Sequence, residues 1–239
     1  MTLMQMLSFA DTGWGMALLK AAGMTLLLTI AALLIGALVG SLVAAAKLSP
    51  RRTWRWLGEA YSILFRGIPE LLVIYLFYFG GASVVTAVKF WLGGEGYVDV
   101  PPFLVGAIAV GLICASYQAE VYRGAFLAVA KGQLEAALAM GMSRSLRIRR
   151  VLIPQIWRYA LPGLGNVWQM TLKDSALVSV IGLVELMRAS QVAAGATRHY
   201  FTFYIVGGLG YLILTGLSAR LFSYAEARVR RTQRRPAQS

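Results

Sequence analysis

Cysteine and histidine are almost missing from the sequence: Cys114 and His199 are the single examples of each in 239 residues. One cysteine closes no disulfide, and one of each leaves no evident zinc site and little for a Cys–His nucleophile. Cys114 lies in an apolar run and does not diagnose a compartment. His199 falls in a short connection expected outside the membrane, where a solvated role is favoured over catalysis. A phosphate-binding loop of the GxxxxGK[ST] type is lacking, so the chain is not expected to bind ATP in the usual way. Acids are scarce, with 10 Asp and Glu against 23 Lys and Arg, for a formal net charge of +13. In a soluble protein that imbalance would suggest nucleic acid; here the placement of the charges decides. No basic residue precedes Lys20 and no small-residue cleavage site follows a short apolar core, so no removable signal peptide is expected.

What is plentiful is apolar surface. Hydrophobic residues make up 58% of the chain and the mean hydropathy is +0.65, against about 45–50% apolar residues in a soluble domain. This composition indicates an all-α integral membrane protein, and the length allows about five or six spans of ~20 residues.

Residues 21–46 hold no charge and place Gly36 and Gly40 at the small-xxx-small spacing that lets membrane helices approach closely, although glycine is also simply common in such helices. Lys47, Arg51, Arg52 and Arg55 follow at once, which puts that end in the cytoplasm and the N-terminus outside. A second span is expected from about 61 to 80, with Pro69 breaking its ladder and Glu70 opening its apolar run. Residues 80–102, nearly neutral and glycine-rich, read as an external loop. The third span, 103–122, ends in the polar Gln118 and Glu120, and Arg123 follows. The fourth, 161–186, contains the adjacent Lys173 and Asp174. Residues 185–201 read as an external connection, and the fifth span, 202–222, leads to Arg220, Arg228, Arg230, Arg231, Arg234 and Arg235. Most basic residues thus fall on one side of a five-helix chain with its N-terminus periplasmic and its C-terminus cytoplasmic. The charge reports topology, and no nucleic-acid partner is expected. No internal repeat of the kind common in secondary transporters is apparent.

Charges inside the spans are functional candidates, because burying them unpaired is expensive. Glu70 follows a proline that frees backbone groups, as in broken helices that line a substrate cavity. Lys173 and Asp174 point about 100° apart around a helix and need not pair with each other; a structural salt bridge between spans is the alternative for this pair.

Between spans three and four lies the basic stretch 132–154, GQLEAALAMGMSRSLRIRRVLIP. A short helix, a hinge at Gly141, an N-cap at Ser143, a second basic helix and a stop at Pro154 are expected. An ordinary cytoplasmic loop held by its positive charge fits the composition equally well.

Glu135-Ala136-Ala137, Gly141 four positions on, and Val151-Leu152-Ile153-Pro154 resemble the Glu-Ala-Ala signature of permease subunits of bacterial ATP-binding-cassette (ABC) importers. The family pattern has Ile at Val151 and Leu at Ile153, and both positions stay apolar here. RGIPELLVIYLFYFG, YQAEVYRGAF and LPGLGNVWQMTLKDSALVSVIGLVEL extend the resemblance over nearly all of 20–225. They look like the branch serving histidine, lysine, arginine and ornithine, or the opines octopine and nopaline.

The resemblance implies a type I importer permease domain over 21–225, preceded by a periplasmic segment 1–20 and followed by a basic cytoplasmic tail 226–239. It implies a multi-pass subunit of the bacterial inner membrane with no enzyme activity, which imports cationic amino acids or opines by alternating access. The chain itself would bind no cofactor; ATP and Mg would be used by a cytoplasmic ATPase dimer. A second permease subunit, preferably a related chain though a homodimer fits too, and a periplasmic binding protein would complete the system. Glu135, Ala136, Ala137 and Gly141 would form the helix that couples to the ATPase. Arg144, Arg147 and Arg150 would meet the ATPase edge or lipid headgroups. Glu70, where relatives often have an apolar residue, and Asp174 would recognise a cationic substrate. A stand-alone secondary transporter or channel for small polar solutes is the alternative.

Overall fold

The computed structural model describes residues 3–9 and 13–231. Of the expected segment 1–20 and tail 226–239, residues 1–2, 10–12 and 232–239, with Arg234 and Arg235, lie outside the described residues. After one turn at Leu3–Met6 the elements are α1 (Gly15–Lys47), α2 (Arg52–Gly67), α3 (Glu70–Trp91), α4 (Pro102–Leu127), α5 (Lys131–Ala139), α6 (Arg144–Ile181), α7 (Leu186–Thr197) and α8 (Tyr200–Arg231). No strand occurs among the described residues.

Four helices, α1, α3, α4 and α8, are long and apolar enough to cross a membrane, and α6 with α7 makes a fifth if the pair, bent by 50°, counts as one span. In α4, 67% of the most apolar window is buried, against 11% in α8 and 17% in α3. The bundle is therefore built around α4. Its N-terminus is set by Pro102, whose fixed φ suits a first helical turn and whose missing N–H has no helical partner there anyway. The α1–α4 seam is closed by glycines: a Cβ on Gly40 would stand 2.9 Å from the Ala115 carbonyl oxygen, and one on Gly36 3.0 Å from Cys114 Sγ. The small-residue face expected at these positions is real, and it meets α4. Leu28 and Ala32 of α1, Ile74 of α3, Ala109 and Val110 of α4, and Val178 and Ile181 of α6 form the main core.

Pro69 divides what the sequence suggested was a single span beginning near residue 61. The ring disfavours helical backbone at the residue before it, and Ile68 is extended at φ −95°, ψ 136°. Residues 52–67 therefore form a separate amphipathic helix. It buries Gly58 and Ser62 and exposes Trp54, Trp56, Ile63 and Leu64, the character of a helix lying at a membrane interface. The span itself is α3, whose 22 residues give about 33 Å at 1.5 Å per residue. It takes up the first part of the expected external loop, leaving turns at 92–101 where Gly93 and Gly96 have positive φ.

Two further expectations are corrected. Pro154 does not stop a helix: α6 runs through it, with a wide π-type turn at Ile148–Leu152 just before the proline. Such a turn accommodates the misfit that a proline ring brings to regular i→i−4 bonding. The connection 185–201 is mostly α7, whose Leu186, Ala189, Ala193 and Ala194 are buried against α1 and α8. Only its far end, with the exposed His199, is loop.

The α1–α4 seam yields the first test. Gly40→Leu should destabilise the detergent-solubilised protein by about 1–3 kcal/mol through overpacking. Gly23→Ala, where nothing lies within 4 Å, should be neutral or stabilise by up to about 1 kcal/mol. Thermal unfolding of the two variants measures the contrast.

Candidate functional site

The basic stretch forms two helical pieces joined by a glycine turn. Gly141 has φ +77°, a conformation that side-chain-bearing residues rarely adopt. Its N–H donates to the Leu138 carbonyl and the Met142 N–H to the Ala137 carbonyl, which closes α5 as a Schellman motif. Ser143 then caps α6 by accepting from the Leu146 N–H at 3.4 Å. Glu135, Ala136 and Gly141 are exposed, whereas Ala137 is buried against the chain itself. Leu138 on the same short helix and Met140 at its C-cap, both passed over in the sequence, are exposed, Met140 by 81%.

The two acids singled out within the spans are brought near one another. Glu70 is the first residue of α3, where a helix N-terminus favours negative charge. Asp174 immediately precedes the tight 3-10 turns of Ser175–Ile181, and the first turns of α3 pack on those turns and on α4. Glu70 and Asp174 are close enough to act electrostatically on each other and on Tyr117 of α4. All three are half-buried. Lys173 is exposed and forms no ion pair with Asp174 among the described residues.

A charged cluster at the neighbouring level of the bundle was not recognised as a unit from sequence. Lys47, at the end of α1, has a fully buried side chain. Its ammonium bonds Glu120 of α4, Glu59 of α2 at 3.0 Å and the Ser62 hydroxyl at 3.1 Å. Glu120 also accepts from Arg66 at 3.0 Å and Arg123 at 3.2 Å. The Arg66 guanidinium lies 5.8 Å from the centre of the Tyr117 ring, so this cluster adjoins the two acids. A usable signal existed: Glu120 is an acid in an apolar span, the same criterion that selected Glu70.

Glu185, expected outside, is completely buried. Its carboxylate caps α7 by accepting from the N–H groups of Met187 and Arg188, both at 2.8 Å, and from the Tyr211 hydroxyl at 2.5 Å. With three donors around it, it is a satisfied structural acid. Among the described residues no group of three or more His, Cys, Asp or Glu could hold a metal ion.

Residues 36–231 match the family model described as "binding-protein-dependent transport system inner membrane component". The chain is 48% identical to an octopine transport system permease protein of Rhizobium meliloti, covering 97% of this chain and 98% of that protein. It is 38% identical to the histidine/lysine/arginine/ornithine transport system permease protein of Escherichia coli K12, over 90% and 94% of the two chains. A crystal structure of an amino acid ABC transporter with histidines superposes with a TM-score of 0.75 at 33% identity, covering 90% of this chain and 95% of that one.

The buried lysine makes a sharp stability prediction. Glu120→Gln leaves Lys47 with Glu59 as its remaining carboxylate and takes the shared acceptor from Arg66 and Arg123, and should cost about 1–3 kcal/mol. The double variant Lys47→Met/Glu120→Leu removes the buried ammonium together with the carboxylate it bonds and should recover much of that loss. Detergent melting curves that show the single variant as stable as the parent would contradict this account of the cluster.

Proposed function

The chain belongs to the family of binding-protein-dependent transport system inner membrane components, and from that membership we propose that its cargo is a cationic amino acid or an opine. As a member of this family it is a permease subunit of an ABC importer in the inner membrane, and ATP hydrolysis belongs to a separate partner chain. The stand-alone transporter or channel left open by the sequence gives way to this membership. The observation that carries the cargo reading is the approach of Glu70 and Asp174 inside the bundle. Two carboxylates in a low dielectric favour guanidinium, imidazolium or ammonium groups over neutral or anionic ones. The relatives named for octopine and for histidine, lysine, arginine and ornithine handle solutes of that class.

The proposed mechanism is alternating access. An ATPase dimer using ATP and Mg closes beneath the membrane, pulls on α5, and switches the bundle between inward- and outward-facing states. In this reading the stretch 132–154 is the coupling segment of a permease domain spanning 21–225. The N-terminal segment 1–20 is then periplasmic and the basic tail 226–239 cytoplasmic, as the skew of Lys and Arg supports. Exposed Glu135, Ala136 and Gly141 present the contact. Ala137, buried in this chain, supports the helix from behind, and Leu138 and Met140 supply apolar area for the same interface. The second permease subunit is proposed to be a related chain, with a periplasmic binding protein delivering the substrate.

Two measurements test this reading. In a reconstituted complex, Glu135→Ala should lower ATP hydrolysis stimulated by the loaded binding protein by about tenfold, equivalent to about 1.4 kcal/mol of coupling, while the subunits still co-purify. Hydrolysis and transport indifferent to the change would remove the coupling assignment. Glu70→Gln should depress uptake of basic amino acids by about tenfold or more, the scale of a lost hydrogen bond to a charged group. Assembly should be intact, and unchanged uptake would take Glu70 out of the site.

A further inference from the structure

One side of α2 has no protein against it. Gly58 and Ser62 are buried on α1: a Cβ at Gly58 would stand 2.6 Å from Lys47 Cγ, and the Ser62 hydroxyl accepts from the Lys47 ammonium at 3.1 Å. The Tyr61 hydroxyl ties the helix to α4 by donating to the Leu112 carbonyl at 2.8 Å. At about 100° per residue, Trp56, Leu57, Ile63 and Leu64 fall on the half turned away from Gly58 and Ser62. Each of the four is at least 46% exposed. Trp54, one turn before Gly58, flanks that half and is exposed too.

Three guanidiniums open the same helix. Arg51, Arg52 and Arg55 are exposed, and their side chains have no hydrogen bond or ion pair among the described residues. Glu59, the acid of α2, is taken by Lys47 at 3.0 Å. Water alone would satisfy the arginines and leave the tryptophans and aliphatic side chains wet, and a soluble acidic partner would pair the arginines without a use for the apolar half. The boundary of a bilayer suits both sets: indoles sit at headgroup level, aliphatic groups enter the acyl edge, and guanidiniums pair with phosphates. The chain brings α2 to such a boundary, because Arg51 follows directly on the end of the span α1 at Lys47. A zwitterionic headgroup carries its own cation beside the phosphate, so unpaired guanidiniums select anionic lipid.

We propose that α2 is a binding site for anionic phospholipid, in which Arg51, Arg52 and Arg55 hold headgroup phosphates while Trp54, Trp56 and the aliphatic side chains lie at the acyl boundary. Arginine suits this role because its planar fork meets two phosphate oxygens at once. The inner side of α2 is bonded through Lys47 to α1 and through Glu120 to α4, so a lipid held here is fixed to the bundle and not to a loose loop. The site does not depend on the cargo class.

The test is short-range quenching of tryptophan fluorescence in the permease–ATPase complex, held in phosphatidylcholine nanodiscs that contain a minor share of brominated phosphatidylglycerol or brominated phosphatidylcholine. The Trp54→Phe/Trp56→Phe variant isolates the signal of these two residues by difference. Half-maximal quenching of that signal should need about fivefold less brominated phosphatidylglycerol than brominated phosphatidylcholine, the advantage of roughly one arginine at an anionic surface. Arg51→Gln/Arg52→Gln/Arg55→Gln should bring the ratio to about one. High salt screens the arginines without any substitution and should shrink the parent's preference, which covers the case in which the triple variant does not assemble. Equal quenching by the two lipids in the parent, or a preference that survives the triple variant or high salt, overturns the site. Loss of the ATPase from the triple variant with the lipid preference unchanged assigns the arginines to a protein partner and overturns it as well.

Discussion

An ammonium ion taken out of water at the end of α1 sets the positions of three helices. Lys47 is enclosed completely, so it needs carboxylates within bonding distance, and they come from α2 and α4. Gly58 is what lets α2 come close: a Cβ there would stand 2.6 Å from Lys47 Cγ. Glu120 is shared with Arg66, so the same ion also fixes where the chain enters Ile68-Pro69 and where Glu70 begins α3. Desolvation of such a cluster offsets most of its Coulomb energy. Its contribution is therefore mainly positional.

The parts proposed to act in substrate recognition and coupling sit where regular helix gives way, and each break has its own cause. Pro69 forces Ile68 out of helical geometry and presents Glu70 at a fresh N-terminus. Gly141 takes a left-handed backbone and turns α5 back on α6. Gly182, also left-handed, ends α6, and Glu185 restarts the chain as α7. Between the breaks the helices are ordinary, with α4 at the centre because its small residues admit α1 at close range. In a medium without water, backbone can leave a helix only where protein or a polar cavity covers it. The break at Ile68-Pro69 meets that condition, since the first turns of α3 pack on α4 and α6, whereas the Gly141 turn is exposed.

Much of this was readable one residue at a time. Gly36 and Gly40 announced a close helix pair, Gly141 a turn and Ser143 a cap, and each serves in that way. Pro154 and Pro69 were harder, because a proline states only that regular bonding is disturbed. Whether the chain then stops, kinks or widens depends on its neighbours: α6 widens into a π-type turn, whereas the helix before Pro69 ends. Lys47 read as a topology charge and Glu120 as a polar span end, since nothing local says that residues 73 positions apart will meet. Glu185 looked external for the same reason, as its partner Tyr211 lies on another helix, 26 positions away in the chain.

The amino-acid sequence by itself determined the membrane class, the small-residue seam of α1, the glycine turn before the basic helix, and the resemblance to importer permeases. Those properties depend on composition, on short-range backbone preference or on a contiguous motif, all of which are local. Only the tertiary structure decided that Ala137 faces inward while Glu135 and Ala136 face out, and that Lys47 lies dry beneath Glu120. It alone brought Arg66, Tyr117, Glu70 and Asp174 into one neighbourhood. Charge pairing in a bundle acts over a few ångströms of space whatever the separation in sequence, so the partner of an ion is settled by packing.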